Sequence, residues 1–474
     1  MGEKLLASTR GFRLGIDWST SPENIGIESV VQALQCEFDR TDGALRTVAG
    51  VRIAYNAGIE VESLFYDINR KRFYFNSGNN LYYTDLHTHE LIGQLTGTKK
   101  PKYHIYDGDV LIASGGKLQA ITGSGTLITI DDSPACEFVS SYSGRVIVSS
   151  IYGHSVYWSA IGDYKSWKNN TNDASSGQYV DVGYKDQGTI ISLDFLGKSI
   201  LVYKQYGKVY QVIGSPADSY FSVFPLSTTG YCSGSALNID DRSYYLGNSG
   251  LMSFMPTNTY ANIQPFETGL NINAYLIKNI KDTCEMWHVP SRKQIWIKPE
   301  NGNLVFLYHY IPRYEDGRGV FTSRKLSHVL HEVVDYNKDV YMAYGTKIGI
   351  LDERLDTDDG EQIQTSIISG NRLATKLFIL LMNYDFVAHN IIDGYGNVQI
   401  SNRTPKQIKF ASTDKRLNDE DGVLLHDYSD LLYQDEYTKV YKIGGGANRN
   451  LQIKIFVQKG AISIRQFDYN YEEV

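Results

Sequence analysis

Few of the residues that could do chemistry in this chain stand where chemistry would need them. His87 and His89 lie two apart, so on a strand both side chains share one face and could ligate a metal ion. No third ligand accompanies them, and a solvated hairpin end is much the better account of the pair. The acidic stretches 356–360 and 418–422 gather carboxylates as calcium loops do. Neither keeps the alternating ligand order with a distal glutamate, so both read as solvated loops. The sequence has no G-x-S-x-G elbow, no P-loop and no dinucleotide fingerprint. A glycosidase needs two carboxylates facing one sugar, and nothing in the spacing singles out such a pair. The chain is therefore expected to be a non-enzyme, with no catalytic residue, cofactor or metal.

Composition narrows the partners. The 474 residues carry a formal net charge of -7 and no long basic run. Tight nucleic-acid binding depends on Lys and Arg that neutralise phosphates, so it is not expected here. Four cysteines, Cys36, Cys136, Cys232 and Cys284, lie far apart without a C-x-x-C pair. That is neither a zinc pattern nor a disulfide framework, and it fits assembly in a reducing cytoplasm. The longest apolar run, 377–382, is too short to span a bilayer, and the N-terminus lacks the apolar core of an export signal. Tyrosine is the compositional outlier, with 36 residues. Its apolar ring and polar tip suit strands and contact surfaces alike.

The elements that would position any site repeat along the chain. A hydrophobic strand, a polar turn, a Tyr- or Val-rich strand, a turn carrying glycine and a third strand recur from residue 51 to 353. The polar turns are Asn69-Arg70, Asp107-Gly108, Ser143-Gly144, Leu196-Gly197, Asp240-Asp241, Ser291-Arg292 and Asn337-Lys338. The accompanying glycines, Gly78, Gly116, Gly153, Gly207, Gly250, Gly302 and Gly345, fall roughly 37 to 54 residues apart, which brackets the length of a propeller blade. Segments such as 72–75, 146–148 and 340–344 have the β-branched and aromatic composition of half-buried strands. The pattern predicts an all-β chain, a β-propeller of about seven small antiparallel blades. A series of β-sandwiches would use the same hairpins.

Outside the repeat, residues 1–50 read as an N-terminal arm leading into a first strand, with 27–38 either a short helix or a strand. Residues 354–360 read as a linker. Residues 361–474 hold candidate strands at 376–386, 398–400, 407–411, 437–443, 451–457 and 461–467, which together suggest a β-sandwich-like domain.

One segment of the repeat stands out. Residues 159–167 look superficially like the Asp-box hairpin of sialidase propellers, but Gly162 and Asp163 are in the wrong order and the segment does not recur. Residues 156–167, Val-Tyr-Trp-Ser-Ala-Ile-Gly-Asp-Tyr-Lys-Ser-Trp, are followed by strands at 190–193, 200–204 and 209–214. This stretch resembles the central region of the tail hub and nozzle, or packaged-DNA stabilisation, proteins of short-tailed bacteriophages. The resemblance continues through 230–235 and 244–251, and 43–51 is similar to the family's first strand, with Ala49 where a proline is common.

The resemblance implies a structural virion protein of the phage tail, assembled in the host cytoplasm. It implies a homo-oligomeric ring, six-fold, below the portal and adaptor and against distal tail proteins. DNA would pass through without sequence-specific binding, and no membrane would be involved. Such a ring extends the DNA conduit and helps to retain and eject the genome. The alternatives are a carbohydrate-binding or carbohydrate-cleaving propeller and a receptor-binding tail-tip adhesin. Candidate contact residues are Trp158 and Trp167 in the aromatic loop and Arg46 in the arm, although buried packing is the plainer account of both tryptophans.

Overall fold

The computed structural model describes the whole chain except residues 1–3, 10, 27, 40–42, 171, 184–185, 187, 206–207, 216–219, 228–231, 248, 257–262, 281–283, 301, 314–316, 379–381, 388–392, 401–403, 412–446 and 473–474. The described residues form a propeller-type array of small antiparallel sheets, with one α-helix, Leu270–Asn279.

The array is built from four-stranded meanders in chain order. Units 1 to 5 span 65–94, 102–129, 136–181, 190–227 and 232–266, each a separate sheet. Unit 6 spans 285–325, and its last strand continues into a larger sheet. Unit 7 takes three strands from 330–352 and its fourth, Gly50–Asn56, from the other end of the chain, pairing Leu351 with Val51 and Lys347 with Asn56.

Turn chemistry explains why these strands double back where they do. The first turn of every unit holds a residue with positive φ: Lys71, Asp107 with Gly108, Ser143 with Gly144, Gly197, Asp240, Lys293, and Asn337 with Lys338. Two successive left-handed residues make the hairpin turn whose twist matches that of the flanking strands. These positions coincide with the expected polar turns or lie within a residue or two of them.

The core sits in the seams. The second strand of each unit is largely buried, and apolar clusters fill the spaces between successive units, the largest of them shared with strands outside the array. Tyr74 and Leu81 meet Val110 and Ile112 between units 1 and 2, and Leu111 and Ala113 meet Val139 and Val148 between units 2 and 3. Phe73 and Phe75 of unit 1 meet Ala343 and Ile348 of unit 7.

The first strands of the units converge and touch in order. Contacts between neighbouring units include the Phe65–Tyr103 stack at 5.1 Å, His104 Nε2 with Ser141 Oγ at 2.8 Å, and the Tyr142–Phe195 stack at 5.4 Å. Ala236 N donates to Ser192 Oγ at 2.9 Å, and Ser291 N donates to Asp335 Oδ2 at 2.6 Å. Tyr336 of unit 7 meets Tyr66 of unit 1 with ring centroids 4.0 Å apart.

The seam between units 4 and 5 holds a buried acid. Asp194 accepts from Ser243 Oγ, which also bonds Tyr203 Oη at 2.6 Å, and from Phe195 N at 2.8 Å. Burial outweighs these bonds and pushes its carboxyl up to about 6. A carboxyl with a raised folded-state pKa ionises first in the unfolded chain. Stability is therefore expected to fall as pH rises from about 4 to about 6, by up to about 3 kcal/mol. Asp194→Asn should remove that slope, as read by urea denaturation between pH 4 and 8. An unchanged slope would refute the assignment.

Residues 1–50, expected as an irregular arm, carry regular strands. Ser29–Leu34 lies between the last strand of unit 6 and Thr365–Ser369, which continues through Ile453–Lys459 and Asp393–Ile400 to Lys406–Ala411. Cys36–Phe38 and Leu45–Thr47 pair with each other, and Leu45–Thr47 and Lys4–Thr9 both pair with Ser463–Glu472. Val30, Ala33, Cys36, Phe38 and Leu45 are buried, so these strands add apolar surface to the core beside units 5 and 6. Residues 27–38, left open between helix and strand, thus hold strands.

The segment 354–360, expected as a linker, forms strand Thr357–Asp358 parallel to Gly50–Asn56. A Cβ at Gly50 would lie 2.6 Å from Leu355 Cβ and from Thr357 O, so the close approach requires glycine there. Of the expected C-terminal strands, 437–443 lies outside the described residues.

Candidate functional site

The aromatic loop belongs to unit 3, between strands Ser155–Trp158 and Gln178–Asp181. Trp158 is 1% exposed and packs between units 3 and 4 against Ile190, Leu193 and Val202. Trp167 is 7% exposed, packs between units 2 and 3, and donates its indole N–H to Tyr164 O at 2.8 Å. Tyr164 Oη in turn donates to Asp109 Oδ2 at 2.5 Å. Both tryptophans are seam residues rather than surface residues of this chain.

The loop is pinned by a residue the sequence did not single out. Arg145, fully buried directly after the Ser143-Gly144 turn, donates from Nη1 to Ser159 O and Ser176 O at 2.6 Å each, and from Nη2 to Ala174 O. Among the described residues no carboxylate forms an ion pair with it, and burial lowers its pKa against the opposing pull of the Asp173 charge.

Arg46 is also enclosed. Its guanidinium meets Glu37 at 2.9 Å, Glu353 at 3.1 Å and Asp39 at 3.3 Å. Glu37 accepts both carboxylate bonds from Arg292 Nη1, at 2.8 and 2.9 Å, and a third from Gln294 Nε2 at 3.2 Å. Burial pushes the Glu37 carboxyl up, but Arg292 and then Arg46 outweigh it and hold the group well below the usual carboxylate range. Beside it, burial drives His309 down to about 3, so its imidazole is neutral and bonds Thr322 Oγ1 at 2.9 Å. The cluster joins the N-terminal strands, the first turn of unit 6 and the end of unit 7.

A second charged cluster lies where the first strands converge. Lys100, just before the first strand of unit 2, bonds Glu285 of unit 6, meets Glu332 of unit 7 at 3.0 Å, and bonds the His331 carbonyl. Lys298 of unit 6 completes the group, meeting Glu285 at 2.8 Å and Leu330 O at 2.7 Å. Unit 2 adjoins neither unit 6 nor unit 7 along the order of touching first strands, so Lys100 reaches across the centre of the array. Burial works against the Glu285 carboxylate, but Lys100 and Lys298 prevail and lower its pKa. The same burial lowers Lys102, helped by the neighbouring Lys100 charge.

The centre is thus spanned by ion pairs internal to the chain. Lys100→Met leaves Glu332 without this partner and Glu285 with one lysine. It is expected to lower unfolding free energy by about 1–3 kcal/mol, measured by urea denaturation. A variant as stable as the parent would show that the strut carries no load.

The other residues raised by the sequence have ordinary structural duties. His89 Nδ1 bonds Tyr55 Oη at 2.6 Å, and His87 is exposed. In the 356–360 stretch, Asp356 accepts from Gln362 Nε2 at 2.8 Å and Gly460 N at 3.1 Å. Asp359 accepts from His328 Nε2 at 2.8 Å and from Lys347. The stretch 418–422 lies outside the described residues. Cys36, Cys136 and Cys284 are all buried. Among the described residues no group of three or more His, Cys, Asp or Glu side chains is placed to hold a metal ion. No described helix is long and apolar enough to cross a membrane.

No protein-family model matches the sequence, and no curated protein matches it. Among solved structures, the extracellular domain of the putative one-component system BT4673 from B. thetaiotaomicron is similar at a TM-score of 0.46 and 9% identity, covering 90% of this chain. This chain spans only 62% of that domain's length. BamB from Moraxella catarrhalis gives 0.39 and 11%, with 73% of this chain and 97% of that one covered. The N-terminal domain of Nup159 gives 0.41 and 9%, with 67% and 98% covered.

Proposed function

We propose that this chain is a seven-bladed β-propeller with an appended β domain, and that it serves as a structural wall segment of a phage tail ring rather than as an enzyme. The observation that carries this reading is the use of the centre. Propellers that act on small ligands offer a concave site with convergent polar groups, whereas here Lys100, Lys298, Glu285 and Glu332 spend their charges on one another. The seven seams and the strand borrowed from residues 50–56 supply a rigid block. The resemblance of residues 156–167 and of the strands that follow to tail hub proteins supplies the place where such a block is used.

In this role identical subunits assemble head to tail, because a closed cyclic ring requires two different faces of the same chain to meet. A net acidic chain suits a conduit wall, since a wall that neutralised phosphates would hold DNA instead of letting it slide. The portal and adaptor on one side and distal tail proteins on the other are the expected neighbours. The test is electron microscopy of the purified protein and of the particle that contains it, together with mass spectrometry of purified virions. Rings of identical subunits near the tail neck are expected. A protein absent from virions, or present in them as a monomer, would overturn the proposal.

A further inference from the structure

A buried lysine in the seam between units 3 and 4 is bonded to a histidine instead of a carboxylate. Lys204 ends strand Ser199–Lys204 of unit 4 and is 0% exposed. Its Nζ lies 2.7 Å from His154 Nδ1, 3.0 Å from Gly183 O and 3.4 Å from Val182 O. Among the described residues no carboxylate forms an ion pair with it. His154 is half-buried in the turn between strands Arg145–Ser150 and Ser155–Trp158 of unit 3. Val182 and Gly183 begin the crossover from unit 3 to unit 4. Val182 N donates to His154 O at 2.7 Å and Asp186 N to Gly183 O at 3.0 Å, so the crossover is fastened at the same place. The other described charges nearby are engaged. Asp186 accepts from Lys208 Nζ at 2.8 Å and from Tyr210 Oη, both of unit 4, and Asp181 of unit 3 accepts from Ser155 Oγ. Burial works against a charge on Lys204, Asp186 favours it and Lys208 opposes it.

We infer that Lys204 and His154 form an acid-sensitive latch, which holds the crossover while one proton lies between the two nitrogens and releases it when both are protonated. An ammonium has donors only, so it bonds Nδ1 only when that nitrogen is bare. If the proton moves to the imidazole, the neutral amine supplies the lone pair and the bond survives. A second proton leaves two donors facing each other and two positive charges with no carboxylate between them. The two groups therefore titrate as a pair. Release takes up a proton wherever a freed imidazole is charged, below its ordinary value of about 6.5. In that range the open population should grow by up to about tenfold per pH unit.

Native-state hydrogen exchange on the full chain reads the latch at the amides of Val182 and Asp186. From pH 8 to pH 5 their protection, corrected for the intrinsic pH dependence of exchange, should first hold steady. Below about pH 6.5 it should fall by up to about tenfold per pH unit. In His154→Gln the side-chain carbonyl still accepts from Lys204 and does not titrate, so protection should stay level. Steady protection in the parent down to pH 5 would overturn the inference without any variant. An equal fall in strand Asp109–Ala113 of unit 2 would also overturn it, because that marks opening of the whole array. A fall that persists unchanged in His154→Gln would assign the effect to another group.

Discussion

Glu37→Gln is expected to lower the free energy of unfolding by about 3–5 kcal/mol, because it removes the one fully buried carboxylate that two guanidinium groups share and leaves them only the more exposed Glu353 and Asp39. Glu37 is the carboxylate shared by Arg292 and Arg46, and the amide that replaces it keeps the shape and loses the charge. Arg292 Nη2 retains Glu353 at 2.8 Å, but that carboxylate is half exposed and cannot replace the buried one whose two oxygens both accept from Nη1. The pH dependence gives a second readout. The Glu37 carboxyl is held below its ordinary value of 4.5, so its contribution is fully present above that pH and is lost as pH falls through the lower folded value. Wild-type stability should therefore decline on acidification below about 4.5, and the Glu37→Gln variant should decline less. Urea denaturation across pH 3 to 7 checks both statements. A variant within 1 kcal/mol of the parent at pH 7 would show that the cluster is not holding the N-terminal strands to units 6 and 7.

Arg145→Met is the second large effect, expected to cost about 2–4 kcal/mol. Methionine follows the course of the arginine stem but leaves the carbonyls of Ser159, Ala174 and Ser176 without their shared donor. Arg145→Lys should recover only part of the loss, since an ammonium is a point charge without the planar fork that reaches three carbonyls at once. The loss should also be local. Limited proteolysis under native conditions is expected to cut the variant between residues 159 and 177 while the parent resists. Cleavage elsewhere first, or equal resistance in both proteins, would mean that the loop is held by Trp158 and Trp167 alone.

The sequence was most legible where structure is local. Asp107-Gly108, Ser143-Gly144 and Asn337-Lys338 announce left-handed hairpin turns because few residue types tolerate those angles, and strands follow on either side. The all-β, propeller-type architecture came through for the same reason. Features made by contacts between distant parts of the chain did not. The 1–50 region looked irregular because its strands are short and interrupted, and their partners lie at 365–369 and 463–472. The 354–360 stretch looked like a linker because its acids seemed free, whereas Asp356, Asp358 and Asp359 each have partners at least six residues away in sequence. Lys100 sits in an unremarkable Lys-Lys-Pro-Lys run, and its partners follow more than 180 residues later. The helix Leu270–Asn279 carries only ten residues with asparagine at three of them, too short and polar a pattern to stand out.

The strand Gly50–Asn56, paired with Lys347–Asp352, sets an order in time as well as in space. A ribosome delivers residue 50 long before residue 352, so the nascent chain must carry an unmatched strand while some 300 residues are added behind it. Such distant pairings close slowly, and open sheet edges invite wrong partners while they wait. Chains truncated before residue 347 should therefore accumulate as aggregation-prone open arrays. A circular permutant that places residues 50–56 directly after 352 should refold faster than the natural connectivity.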